Sequence, residues 1–421
     1  MYHTDTVSYR YHVIKLCHFI YHIIKFFDIG LVIVRIKYTM TSAYPVDQCH
    51  ACTNVSQDTN VPSDVVSEME GGTFSNSIDM YNLKQDELDI YYTKKLGVGT
   101  FCSVFPVHIR NGETMEFNKQ LPPFALKQLN SEIVDNPKIF KHAYADLFHE
   151  AQMLKKLKHE NILSLVGMGD TSIVDKKKEF FIITEMLEST LESRMETWEG
   201  MRNFWQRYIP NDVIEMRLRN VAIPIASALG YLHSKRIVYR DLKPANIGFD
   251  LAGNVKVFDF GLALQIPEGK KVRGLAGTLR YMAPEMKTEF HSFPVDVYSF
   301  SILLWEIITS HVAFQELQGT VFSIDKIPGD KRPNLNYVAS SNHHLRYLLE
   351  NSWTIDPTKR WDFPKVILEL QQIVSHLSIE KSEAKKKSSF LTSTLLYQKG
   401  SMNYPFTWIV SFLFLYIIFY Y

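Results

Sequence analysis

One stretch, IVYRDLKPANIGFDLAGNVKVFDFGLA at residues 237–263, constrains the fold most strongly. It contains Asp241 and Asp259, with Asn246 between them. The segment NVKVF at 254–258 alternates in the manner of a β-strand, which would return the chain toward Asp241. The sequence therefore predicts that these three polar side chains lie at one place.

These residue types in this order are suited to one kind of chemistry. An aspartate and an asparagine supply hard oxygen ligands of the kind that Mg²⁺ accepts. The other aspartate can orient a hydroxyl nucleophile and accept its proton. Lys243, two residues after Asp241, can neutralise charge on a transferring phosphoryl group. The interpretation gives the two aspartates different tasks, one on the metal and one on the substrate.

Two features upstream fit phosphate binding. The turn Gly97-Val98-Gly99-Thr100 lies between predicted strands, where glycines let backbone N–H groups approach phosphates. Plain hairpins also use glycine, so this turn alone is weak support. Lys127 lies within the apolar strand FALKQL, and Glu150 on the next helix is its natural partner. The alternative is that both are ordinary solvated charges.

Hydrophobic periodicity predicts an α+β architecture with a small strand-rich lobe before a larger helical lobe. Strand patterns cover residues 91–96, 103–109, 124–129 and 180–185. Helical patterns cover residues 142–158, 212–234, 295–309 and 342–352. Pro106 removes a ladder donor from the second strand, so we expect a bulge or an edge there.

Charge and cysteine content exclude some classes of protein. The net charge of +1 argues against a chain built mainly to bind nucleic acid. Cys49 and Cys52 form a CxxC pair, but no second pair completes a zinc site. With four cysteines and no disulfide framework, we expect a reducing, cytoplasmic location.

Residues 91–378 resemble the protein kinase superfamily, since its motifs occur in the family's order. The motifs are the glycine loop, FALK at 124–127, YRDLKPAN at 239–246, DFG at 259–261, GTLRYMAPE at 277–285, DVYSF at 296–300, and Trp353 with Asp356, Pro357 and Arg360. The resemblance implies the bilobal protein kinase fold. Lys243 and Gly277-Thr278 are similar to the serine/threonine type, and other stretches are similar to the tyrosine-kinase-like group.

The resemblance also implies the site residues, with ATP and Mg²⁺ as cofactors and a protein Ser or Thr hydroxyl as acceptor. Asp241 would be the catalytic base, Lys243 would contact the γ-phosphate, and Asn246 and Asp259 would bind Mg²⁺. The residues expected to contact the nucleotide are Leu96, Gly97, Val98, Gly99, Val104, Ala125, Lys127, Glu150, Thr184, Glu185 and Leu187. Glu285 would pair with Arg360 as a structural bridge, and Asp296 would anchor the catalytic loop.

Several residues depart from the family pattern. Gly248 stands where Leu usually forms the floor under adenine, so we expect a roomier pocket, weaker ATP binding, and a lower KM in Gly248→Leu. Cys102 replaces the third loop glycine, either as a small apolar filler or as an oxidisable thiol. The segment 262–276 has no Ser, Thr or Tyr, although Arg240, a phosphate clamp in many kinases, is present. Glu268 would then supply a fixed negative charge to Arg240.

The chain divides into five parts by composition. They are an amphipathic segment at 1–40, a polar linker at 41–88, a kinase domain at 89–378 (small lobe 89–185, large lobe 190–378), a charged linker at 379–399 and an apolar tail at 400–421. Either terminus is a candidate for membrane contact. The alternatives for the N-terminal segment are that it is unstructured, or that it is not translated and Met40 is the true start. The alternative for the tail is a gene-prediction error.

Two other functions fit part of this pattern. A pseudokinase scaffold would share the fold, but scaffolds commonly lose the strand lysine or one of the two aspartates, and this chain keeps all three. A small-molecule kinase of related fold is the other alternative. The intact APE segment at 283–285 and the long helical lobe favour protein substrates.

Overall fold

A computed structural model describes residues 81–110, 124–133, 135–169, 180–202, 209–287, 290–315, 329–339 and 342–398. The first part of these residues forms a twisted sheet. Its strands are β1 (Tyr81–Leu83), β2 (Leu88–Ile90), β3 (Gly97–Val98), β4 (Cys102–Ile109), β5 (Phe124–Leu129), β6 (Leu165–Gly169) and β7 (Phe181–Glu185). The spatial order is β1-β6-β7-β5-β4-β2, with β3 also on β4. β1 runs parallel to β6, and the other pairs are antiparallel.

The sheet has one face covered by its own apolar side chains. That cluster consists of Leu83, Leu88, Phe105, Val107, Leu126, Phe181 and Ile183. On β5, Leu126 belongs to this outer cluster, so Ala125 and Lys127 point to the opposite face. Val104 lies directly across from Lys127 in the β4–β5 ladder. The alternation therefore places Val104, Ala125 and Lys127 on one surface.

The predicted strand at 91–96 is wrong in its bounds. Pairing to β4 is interrupted there: the amides of Tyr91 and Leu96 donate to the carbonyls of Pro106 and Val104, and a turn closed by Lys94 N–H to Tyr91 O separates them. The carbonyl of Pro106 points toward this turn, so its missing N–H would face the same side. The pairing is thus interrupted beside Pro106, where the sequence predicted a bulge or an edge, and this interruption shortens the predicted strand.

The small lobe also begins earlier than its predicted boundary at residue 89. β1 adds an edge strand to β6, and Leu83 and Leu88 are buried in the outer cluster. The end of the predicted polar linker is therefore part of the sheet. Polar neighbours such as Lys84, Gln85 and Asp86 are exposed, which hides the strand from a composition-based boundary.

A long helix, α1 (Pro137–Lys156), packs against strands β5, β6 and β7. Its start is fixed by Asn136, whose side chain accepts a hydrogen bond from the Ile139 amide, and by Pro137 in the first turn. Its buried face includes Leu147, Ala151 and Leu154. Glu150 lies on this same buried face, because it is three to four residues from its apolar neighbours.

The second part of the chain is mainly helical. Its strands are β8 (Leu187–Thr190), β9 (Ile237–Val238), β10 (Ile247–Asp250), β11 (Val255–Val257) and β12 (Leu264–Gln265). Its helices are α2 (Leu191–Arg202), α3 (Asn211–Arg217), α4 (Ile223–Ser234), α5 (Pro294–Thr309), α6 (His343–Ser352) and α7 (Phe363–Gln398). Strands β11-β10-β8 form one small sheet, and β12 pairs with β9. The α+β architecture expected from the sequence is confirmed.

Residues 212–234, predicted as one helix, are divided by a wider turn. Leu218–Ala222 forms a π-helical turn between α3 and α4, and the Ile223 amide reaches back to the Leu218 carbonyl. Pro224 follows directly, and proline lacks an amide and crowds the carbonyl four residues before it. The extra residue in the turn relieves this conflict without ending the helix.

Helix α5 forms the centre of the large lobe. Every residue from Val295 to Thr309 is buried, including Asp296 and Glu306. At the other end of the lobe, α7 continues through the residues predicted as a charged linker. The segment 365–398 contains no Pro or Gly, and its Glu, Lys and Ala residues favour helix.

Several predictions lie outside the described residues. These are the amphipathic N-terminal segment, the Cys49–Cys52 pair, most of the polar linker and the apolar tail, and they stay predictions. Within the described part of the chain, no helix is both long and apolar enough to cross a membrane.

Candidate active site

Lys127 connects three elements of the structure. Its Nζ lies 2.5 Å from Glu150 Oε2 on α1 and 3.8 Å from Asp259 Oδ1, which follows β11. The pairing of Lys127 with Glu150 is thus confirmed, and the alternative of two solvated charges is wrong. Glu150 is 3% exposed, so water could not solvate its carboxylate if Lys127 were removed.

The ionisation of Lys127 follows from its neighbours. Burial alone would lower the pKa of Lys127, but the charges of Glu150 and Asp259 outweigh it and hold this pKa above its ordinary value. The ammonium therefore stays charged at neutral pH. A fixed positive charge beside a half-exposed carboxylate is suited to a polyanionic ligand that brings its own cation.

Asp241 is held by three side chains. Lys243 Nζ lies 2.7 Å from Asp241 Oδ2, and Asn246 Nδ2 donates to the same oxygen at 2.9 Å. Thr278 Oγ1 donates to Asp241 Oδ1 at 2.8 Å. The carboxylate is therefore fixed in orientation and lies next to a cation.

The backbone before Asp241 is fixed from below. Asp296, at the start of α5 and fully buried, accepts the amides of Tyr239 and Arg240 at 2.8 Å each. Arg240 has a φ of 68°, in the left-handed region. Such a conformation at a residue other than glycine is held by surrounding contacts, here the two bonds to Asp296. The anchoring contact predicted for Asp296 is confirmed.

A second set of bonds brings Asp259 to the same region. The Phe258 amide donates to the Asn246 carbonyl at 3.1 Å, and the β10–β11 ladder continues from this contact. The Tyr239 hydroxyl also donates to the Phe258 carbonyl. Asp259 itself has a φ of 64°, which turns the chain immediately after β11. The two halves of the site are thus joined through residues 246 and 258.

The donor set fits a magnesium ion. Asn246 uses its amide nitrogen for two bonds to Asp241, so Oδ1 is its only remaining ligand atom. The Asp259 side chain is 42% exposed. Mg²⁺ in phosphate-transfer sites takes one or two protein oxygens and completes its shell with water and phosphate. In the described part of the chain no larger cluster of His, Cys, Asp or Glu could hold a metal.

The glycine turn is supported by residues that the sequence pattern did not single out. The Gly99 amide donates to the Cys102 carbonyl at 2.8 Å and closes the turn. Asn130 Nδ2 donates to the Gly99 carbonyl at 3.3 Å, and Ser103 Oγ donates to Asn130 Oδ1 at 2.6 Å. Val98 is 68% exposed at the tip. In the sequence, the only indication of this role is that Asn130 is a polar residue directly after the predicted strand at 124–129.

Partial burial of Cys102 favours one of its two interpretations. It raises the pKa of the Cys102 thiol to about 11. The thiolate, which is the reactive form, is therefore scarce at neutral pH. The filler interpretation is favoured over the oxidisable thiol.

The connection between the lobes runs from Thr184 to Leu187. Thr184 is buried and donates to the Glu185 carbonyl at 3.2 Å. The Glu185 side chain points to Lys256, 3.0 Å away, and to the Ser164 amide at 2.8 Å. The nucleotide-contacting roles of all the residues expected from the resemblance stay predictions. These residues are Leu96, Gly97, Val98, Gly99, Val104, Ala125, Lys127, Glu150, Thr184, Glu185 and Leu187.

The roomier pocket predicted at Gly248 is wrong. A Cβ placed on Gly248 would lie only 2.5 Å from Leu187 Cδ1. The leucine side chain already fills the space that the missing side chain would take, so Gly248→Leu would clash with it. The sequence pattern could not indicate this, because Leu187 and Gly248 are far apart along the chain.

The segment after Asp259 is ordered by contacts other than a phosphate. Arg240 Nε donates to the Leu262 carbonyl at 2.7 Å, and β12 pairs with β9. Glu268 is exposed and makes no ion pair with Arg240 among the described residues, so that hypothesis is wrong. The predicted bridge between Glu285 and Arg360 is confirmed and is bidentate.

Comparison with known proteins gives a consistent result. The family model described as "Protein kinase domain" matches residues 91–376. Serine/threonine-protein kinase STY46 of Arabidopsis thaliana is 29% identical over 63% of this chain and 42% of its own length. Serine/threonine/tyrosine-protein kinase HT1 of the same plant is 29% identical over 56% of this chain and 59% of its own length. Dual specificity protein kinase shkD of Dictyostelium discoideum is 29% identical over 72% of this chain and 37% of its own length. The chain thus spans between about a third and three fifths of these relatives.

Proposed function

Because the chain belongs to the protein kinase family, we propose that it transfers the γ-phosphoryl group of ATP to Ser or Thr hydroxyls of protein substrates. The observation that carries the proposal is the double engagement of Asp241. Thr278 holds one carboxylate oxygen and Lys243 holds the other.

The proposed chemistry assigns each half of the site one task. Lys127, kept charged by Glu150, binds the nucleotide phosphates at their non-transferred end. Asp241 orients the acceptor hydroxyl and takes its proton, while Lys243 offsets negative charge on the transferred group. Asn246 and Asp259 would hold Mg²⁺, which neutralises charge on the phosphates when it is bound.

Ser and Thr acceptors are favoured over Tyr by the residues at Asp241. Both Lys243 and Thr278 touch the carboxylate, and both belong to the serine/threonine type of motif. Two of the relatives compared carry names that include tyrosine or dual specificity. The acceptor residue is therefore a part of the proposal that the experiment has to resolve.

The test uses the full chain with ATP, Mg²⁺ and a peptide library that contains Ser, Thr and Tyr acceptors. We expect transfer to Ser and Thr peptides, and a loss of about 100-fold or more in Asp241→Asn, the size of a general-base effect. Asp212→Asn, an exposed aspartate at the start of α3, is the matched control. ATP binding without any transfer would indicate a scaffold instead, and transfer to Tyr peptides alone would overturn the acceptor assignment.

A further inference from the structure

Gly248 faces the connection between the lobes. Its neighbours Ile247 and Phe249 are buried in the core of the large lobe, so position 248 points to the other face of β10. Lys256 lies directly across from Gly248 on β11 and shares that face. Lys256 Nζ lies 3.0 Å from Glu185 Oε2, at the end of β7. The face that Gly248 presents therefore lies beneath the lobe connection.

Leu187 covers this glycine. A Cβ on Gly248 would lie 2.5 Å from Leu187 Cδ1, 3.1 Å from Cδ2 and 3.2 Å from Cγ. All three branch atoms of the leucine thus lie over one glycine. Real Cβ atoms do not approach another atom this closely, so a side chain at position 248 would displace the Leu187 side chain from its present position.

Strand pairing explains how Leu187 reaches this position. β8 begins at Leu187, two residues after β7 ends at Glu185, and it pairs with β10. Leu187 is paired with Asp250, and the register shifts before Ser189 pairs with Phe249. Such an irregularity re-aims side chains. Asp250 and Gly248 share a face of β10, so a side chain at 187 leans over the glycine two residues away.

We propose that Leu187, not a side chain of β10, forms the lower apolar wall of the base pocket. Position 248 is then a glycine because Leu187 occupies the space that a side chain there would take. The proposal rests on the proposed function. The upper wall is the sheet face that carries Val104 and Ala125 together with Lys127. A base held between these walls meets apolar surface on both faces, and the lower surface belongs to the lobe connection itself.

The proposal predicts a reciprocal pair of substitutions. Leu187→Ala removes the lower wall, and Gly248→Leu pushes Leu187 into the base space. Each should weaken ATP binding about tenfold, the size of one lost leucine contact. The double variant Leu187→Ala/Gly248→Leu rebuilds the wall from the other strand, so its affinity should return to within about threefold of the unchanged chain. Leu251→Ala, an exposed leucine just after β10, is the matched control.

The measurement is calorimetric titration of the full chain with ATP in the presence of Mg²⁺, and with inorganic tripolyphosphate as a probe that lacks the base. Affinity for tripolyphosphate should change less than about twofold in every variant, because it does not touch the wall. If Gly248→Leu does not fold, Gly248→Ala takes its place, since the Cβ alone meets Leu187 Cδ1.

Three results would overturn the inference while ATP still binds the unchanged chain. The first is tighter ATP binding in Gly248→Leu, and the second is an unchanged ATP affinity in Leu187→Ala. The third is a double variant whose loss of ATP affinity equals the losses of the two single variants combined. Failure of the unchanged chain to bind ATP would instead refute the proposed function, and the inference with it.

Discussion

Glu306, buried in α5, should make the stability of this protein depend on pH in a way that one substitution removes. The side chain is 1% exposed. Its carboxylate accepts the Ala313 amide at 2.7 Å and the Tyr281 hydroxyl at 2.8 Å. Burial raises the pKa of Glu306 from 4.5 to about 7, against the lowering effect of these two bonds. Glu306→Gln keeps the shape and one accepting oxygen, places a donating NH2 where a protonated carboxyl would carry its O–H, and cannot titrate.

The sign follows from where the proton is held. The folded state keeps the Glu306 proton up to a pKa of about 7, while the unfolded chain releases it near 4.5. This contribution to stability is fully present below the lower value and is lost as the pH rises through the higher one. The loss amounts to about 3 kcal/mol in total, and to about 2.5 kcal/mol between about pH 5 and about pH 8.

The assay is urea denaturation of the full chain and of Glu306→Gln at both pH values. The difference in unfolding free energy between the two proteins isolates Glu306. This matters because burial lowers the pKa of His291, whose contribution has the opposite sign. Glu383→Gln, at an exposed position, is the control. If the pH profiles of the unchanged chain and Glu306→Gln run parallel, Glu306 does not hold a proton at neutral pH and the reasoning fails.

Three further predictions concern other parts of the molecule. Leu83→Ala should lower the free energy of unfolding by about 2 kcal/mol, because it empties a buried position that joins β1 to the sheet; a change below about 0.5 kcal/mol would mean that β1 is not part of the cooperative unit. Phosphatase treatment should leave the transfer rate unchanged, since residues 262–276 contain no hydroxyl side chain; a loss of activity that mass spectrometry traces to Thr278 would contradict this. Iodoacetamide should label Cys102 slowly at neutral pH and rapidly only as the pH approaches about 11, because burial raises its pKa to that value; peptide mapping that finds Cys102 modified as fast as free cysteine at neutral pH would refute the filler interpretation.

The sequence predicts best where one residue type has few alternatives. Lys127 in an apolar strand needs a carboxylate, and Glu150 supplies it from the next helix. The order of the motifs around Asp241 and Asp259 likewise fixes which strands and turns must meet. Periodicity located β5, β7, α5 and α6 for the same reason, because burial on one face leaves a regular pattern.

The predictions that were wrong or missing share a different cause, which is contact between residues distant in sequence. Leu187 fills the space above Gly248 only because β8 pairs with β10. Asn130 supports the glycine turn across 31 residues of chain. Glu268 carries the charge suited to Arg240, but the backbone directs it to solvent. A family pattern gives the residue type that usually occupies a position. It does not show when a residue distant in sequence fills the same space.

Only Met186 separates β7 from β8, so the two lobes are joined with almost no slack. A rotation of one lobe against the other must be absorbed by the torsions of that single residue or by parting the β8–β10 ladder. We therefore expect substitutions that weaken the β8–β10 ladder to allow a wider rotation of one lobe against the other.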